Sequence, residues 1–136
     1  YEQLEEQRKD LGEAHFLAYL SAANAYTLDL HPTQLLAGLR AMQLSKKALQ
    51  LAPNDPLTLS VRGHIMFYAP SPLGDKRQAL DLYTRACNRY DELGVRDEVY
   101  PVCKLNIAIC YRYLGDKARY KQLYQETISE YPYLEQ

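Results

Sequence analysis

The chain reads as an all-α protein, and three observations predict this. Glycine and proline fall as punctuation: Gly38, Pro53-Asn54-Asp55 followed by Pro56, the stretch PSPLGD at 70–75, Gly94, Gly115-Asp116 and Pro132. Between these breaks run segments of roughly 12 to 20 residues whose apolar side chains recur three and four apart, the spacing of a helix face. No segment shows the alternation and β-branched richness of a strand.

Taken in order, residues 1–12 are mostly charged and offer only Leu4 and Leu11 as apolar contacts. We read residues 1–15 as a polar helical extension or the end of a linker, and residues 16–136 as one domain. YLSAANAY, residues 19–26, begins the first helix, and ALQLAPND, residues 48–55, closes the second. Pro56 opens a third, and PSPLGD separates it from a fourth that Gly94 terminates. Asp97 then caps a fifth helix. In the last two helices Leu105, Ile109 and Tyr113 share one face, as do Tyr120, Leu123, Tyr124 and Ile128, with the turn at Gly115-Asp116.

With 16 Lys and Arg against 17 Asp and Glu the net charge is −1, so no overall field draws in nucleic acid or an anionic membrane. The short basic clusters, Lys46-Lys47 and Lys117, Arg119 and Lys121, are balanced by nearby acids and read as solvated faces. No apolar run is long enough to span a bilayer. The opening YEQLEEQRKD, without an initiating Met, is expected of a segment of something longer. Cys87, Cys103 and Cys110 are odd in number and lack zinc-like spacing, so they read as small core residues and lean toward a reducing, cytoplasmic compartment. Tyrosine, present 13 times beside two Phe and no Trp, is the main aromatic packing residue.

Nothing here points to catalysis. His15, His31 and His64 lie far apart, and none sits at the i, i+4 spacing of a helical metal pair. Asp97 and Glu98 form a carboxylate pair, but beside a turn they read as a helix start. There is no glycine-rich phosphate loop and no nucleophile motif. We expect a non-enzymatic chain with no metal or cofactor.

The helical pair at the C-terminus recurs. With Tyr111 as the eleventh residue of a repeat, Ile107 is seventh and Ala108 eighth, while Tyr124, Thr127 and Pro132 fall at 24, 27 and 32. With Gly63 at position 8, Pro56 is at 1, Leu59 at 4 and Met66 at 11. Four extra residues in YAPSPLGD then bring Ala79, Tyr83 and Ala86 to 20, 24 and 27. An earlier copy puts Tyr19, Ala22, Ala23 and Tyr26 at 4, 7, 8 and 11, and Ala41, Ala48 and Pro53 at 20, 27 and 32, with extra residues around LDLHPTQ. Through these positions, and through the strings ALQLAPNDP and LNIAICYRYLGD, residues 16–132 resemble the tetratricopeptide repeat family of 34-residue helical hairpins. The enlarged turns and Tyr120, at a usually small position, depart from its pattern.

The resemblance implies three repeats, at about 16–55, 56–93 and 97–132, stacked as a right-handed α-solenoid in which each hairpin buries its apolar face on its neighbours. It further implies a protein-interaction module whose concave groove takes a peptide or partner protein. The groove positions carried over are Asn24 and Leu28 in the first repeat, His64, Phe67 and Tyr68 in the second, and Asn106, Ile109, Arg112 and Tyr113 in the third. The carboxylate-gripping set of the chaperone-tail variant is absent: only Asn24 matches, against Leu20, Val61, Val102 and Asn106. A different reading is a scaffold, in which Leu123, Ile128, Tyr131 and Leu134 on the last helix pack against a second copy or another domain, as in the regulatory part of a larger regulator.

Overall fold

Asp55 and Pro56 show how local chemistry sets the helix boundaries. The Asp55 carboxylate accepts from the Thr58 amide at 3.0 Å while Pro56, needing no amide partner, fills the first helical position. Asp75 repeats the device for the next helix, accepting from the Arg77 and Gln78 amides, and Asp116 accepts from the Arg119 amide. Two helices, Lys76–Leu93 and Val99–Tyr113, close on glycine: Gly94 and Gly115 adopt positive φ, 66° and 93°, where a β-carbon would be strained. Asp97 lies one residue outside the helix start, at which Glu98 makes no side-chain cap, yet the Asp97 carboxylate accepts from the Val99 amide and the Tyr90 hydroxyl.

The computed structural model describes residues 2–30 and 35–135, with the side chains of 27–30 and 35 outside that description. Six helices result: α1 (Glu2–Leu30), α2 (Leu35–Leu51), α3 (Pro56–Tyr68), α4 (Lys76–Leu93), α5 (Val99–Tyr113) and α6 (Lys117–Glu130). A short 3₁₀ turn, Pro132–Glu135, follows. No strand occurs among the described residues. Helices α1 and α2, α3 and α4, and α5 and α6 pack as hairpins; α1, α3 and α5 touch in succession to form an inner row. The arrangement is an all-α helical repeat.

Close approach inside each hairpin follows from small residues. Gly63 faces the Tyr83 ring, Ala79 and Ala86 are fully buried, and Tyr83 is 2% exposed. Ala108 takes the place of Gly63 in the third hairpin and is fully buried; on its partner helix Thr127 is buried and Tyr124 half-buried. One core runs through α3, α4 and α5, built on Leu59, Met66, Tyr83, Tyr90, Tyr100 and Cys103. In it the Cys103 thiol donates to the Cys87 sulfur across the α4–α5 interface. That bond and burial hold Cys103 above the ordinary thiol range, while the same bond draws Cys87 below it against the opposing effect of burial. All three cysteines are free.

The first hairpin corrects the sequence reading. Ala14, Leu17, Ala18 and Ser21 are the buried face of α1, whereas Tyr19, Ala22, Ala23 and Tyr26, assigned above to packing positions, are exposed. Both faces of this helix are apolar, so periodicity alone did not choose between them. The partner decides: α2 offers Ala41, Ser45 and Ala48, each at most 2% exposed, and only the small ladder of Ala14, Ala18 and Ser21 fits so flat a surface. The Ser21 hydroxyl donates to the Ala41 carbonyl at 2.7 Å. Where the second hairpin has Tyr83, the first has Ser45, and Arg62 reaches back from α3 to fill the seam. Its Nη1 donates to the Met42 carbonyl and to Ser45 Oγ, both at 2.9 Å. His15 Nε2 lies 2.8 Å from Asp55 Oδ2, tying α1 to the cap of α3.

Candidate interaction surface

The last turns of α3 and α5 bring four of the sequence-named residues together. His64 and Tyr68, one helical turn apart, stack with centroids 4.6 Å apart. Phe67 meets Tyr68 at 4.8 Å and, across to α5, meets Tyr113 edge-on at 5.3 Å. Phe67 itself is buried in the core, whereas Tyr68 and Tyr113 are 68% and 61% exposed. Lys76, the first residue of α4, donates to the Phe67 carbonyl at 3.1 Å and holds its ammonium 4.6 Å from the Phe67 centroid and 5.2 Å from that of Tyr113. The two exposed tyrosines thus rest on a rigid base. Beneath them burial pushes the Cys110 thiol up to about 11, against the pull of the Lys76 charge.

Beside this ridge, where α1 gives way to α2 and α3 to α4, lies an apolar cleft of about 570 Å³. Ala25, Leu39, Met42, His64, Tyr68 and Leu73 are among its walls. Leu73 comes from the enlarged turn, whose backbone is fixed by bonds from the Leu73 and Gly74 amides to the Pro70 carbonyl and from the Asp75 amide to Met66. The cleft and ridge share His64 and Tyr68, so one ligand can place an apolar side chain in the first and a second group along the other. Leu39, Met42 and Leu73 went unnamed in the sequence reading; the departure of PSPLGD from the repeat pattern was the available signal.

The other named residues are placed elsewhere. Asn24 donates to the Leu20 carbonyl of its own helix, and Leu28, like His31, lies outside the described side chains. Asn106 and Ile109 are half-buried on α5, with Ile109 packed on the core. Arg112 is exposed, its guanidinium 5.5 Å from the Tyr120 ring. Leu123, Ile128, Tyr131 and Leu134 are each half-buried, and Tyr131 packs against the core. Among the described residues no group of three or more His, Cys, Asp or Glu could hold a metal ion, and no helix is long and apolar enough to cross a membrane.

Comparison with protein families places a tetratricopeptide repeat at residues 103–132, from the second turn of α5 through α6 to Pro132. Searches of curated proteins and of solved structures each returned no match. With a tetratricopeptide repeat matched in the last hairpin and two further hairpins stacked before it, the all-α helical repeat fits a tetratricopeptide-like protein.

Proposed function

We propose that the chain binds a peptide or partner protein on its inner row, through the ridge of Tyr68 and Tyr113 and the adjoining cleft. A tetratricopeptide repeat marks a protein-interaction module in general, and proteins of this family are typically non-enzymatic. The observation that carries the finer reading is the pair Tyr68 and Tyr113: both are about two-thirds exposed, yet both are braced by ring contacts to Phe67, which Lys76 covers. Exposed tyrosines that lose little freedom on binding are characteristic interface anchors. A segment carrying an apolar side chain for the cleft and a second contact two or three residues away is the ligand that fits. Residues 16–136 act in this reading as the binding domain, with 1–15 as its extension.

A displayed peptide library selected on the full chain tests this. Peptides so obtained should bind at least tenfold more weakly to Tyr68→Ala and Tyr113→Ala variants with unchanged circular dichroism; undiminished binding overturns the proposal. A second reading, packing of a partner or second copy on the C-terminal end, draws support from the incomplete burial of Ile128 and Leu134.

A further inference from the structure

Helix α1 carries a second apolar face, exposed along its length. Its 29 residues extend about 44 Å, and Ala14, Leu17, Ala18 and Ser21 pack inward. On the opposite side Gly12, Phe16, Tyr19, Ala23 and Tyr26 follow one another at spacings of four, three, four and three residues, all exposed. Phe16, Tyr19 and Tyr26 each show 64% of their surface, and no Asp, Glu, Lys or Arg interrupts the sequence from 14 to 26. The solvent face of an ordinary helix is charged. A sustained alternation of three and four is instead the seam of a helix that pairs with another helix.

We infer that this face is the interface with a second copy of the chain, the two α1 helices running antiparallel about a two-fold axis near residue 21. Antiparallel pairing about that point sets Phe16 opposite Tyr26 of the other copy, and Tyr19 opposite its Ala23, each contact occurring twice. Every large ring then meets either a ring or a small residue, the alternation that lets facing helices interdigitate. Charge selects the orientation. Residues 2–13 hold five acids and two bases. In a parallel pair these acidic stretches would lie side by side and repel, whereas in the antiparallel pair they overhang at opposite ends. The size is also adequate. At ~150–250 Å² per aromatic side chain, the free two-thirds of three rings on each copy amounts to roughly 600–950 Å². Leu20 and the adjoining helix surface bring this to the scale of ~1,200 Å² that specific association requires.

The test is the solution mass of the full chain by light scattering over a range of concentrations, for the wild type and for Tyr19→Lys, Ala23→Trp and Ile128→Glu. The expected result is a wild-type dimer, its dissociation constant raised at least tenfold by Tyr19→Lys and by Ala23→Trp, with helicity unchanged, and unaffected by Ile128→Glu. Since Tyr19 and Ala23 are exposed, neither change disturbs the core. A monomeric wild type overturns the inference, as does a dimer that survives both α1 substitutions or that only Ile128→Glu dissolves.

Discussion

Gly63 sits where a β-carbon would lie 3.1 Å from Cε1 and 3.2 Å from Cδ1 of the Tyr83 ring and 3.4 Å from Leu82 Cβ. A branched side chain there must push α3 from α4. Gly63→Val is therefore expected to cost about 2 kcal/mol, the usual scale of overpacking, read as a lower urea midpoint at unchanged slope. This contact was legible in the sequence, because Gly63 and Tyr83 occupy the small and aromatic positions that a repeat requires to meet. Arg62 was not. A cation in the seam between hairpins follows from Ser45 standing where a ring is usual, and a missing ring says nothing about which neighbour fills its place.

Among the described helix caps, that of α3 is the most heavily used. The Asp55 carboxylate receives the Thr58 amide, the Thr58 hydroxyl at 2.9 Å and His15 from α1, whereas Asp75 serves only two amides of its own helix. Asp55→Ala should thus cost about 2 kcal/mol and Asp75→Ala about 1, a difference that paired denaturation curves would resolve. If the two cost the same, the contact with α1 contributes nothing. The helices themselves were readable from Gly, Pro and Asp, whose effects are local. The packing face of α1 was not, since with apolar residues on both sides the choice rests on the shape of α2, which lies too far along the chain for spacing to report.

For the molecule as a whole, the tyrosine-rich core sets an upper limit in pH. Burial, with the nearby Asp91 carboxylate, pushes the Tyr100 phenol up to about 12; burial raises Tyr83 further, and Tyr90 through burial and its bond to Asp97. The folded state holds these protons more tightly than the unfolded chain, whose phenols titrate near ~10. Their stabilisation is therefore complete below pH ~10 and is lost as pH rises through about 12. Circular dichroism and phenolate absorbance followed together should show the buried phenols ionising only as helicity collapses; early ionisation without unfolding contradicts this account. At this scale the stacked hairpins were legible from recurrence. The interaction surface was legible in part: His64, Phe67, Tyr68 and Tyr113 meet, while the cleft walls from α2 and the enlarged turn depend on how two hairpins stack, which no single repeat encodes.

The Arg62 seam has a mechanical side. Between the second and third hairpins the joint is one continuous core of aromatic, aliphatic and thiol side chains shared by α3, α4 and α5, which yields only if many contacts slide at once. Between α2 and α3 a smaller cluster around Leu17, Ala18 and Ala48 is supplemented by one guanidinium gripping a carbonyl and a hydroxyl. Under tension along its length the molecule is thus a stiff block joined to a more compliant first hairpin, held by that cluster, by the Arg62 guanidinium and by the His15–Asp55 contact.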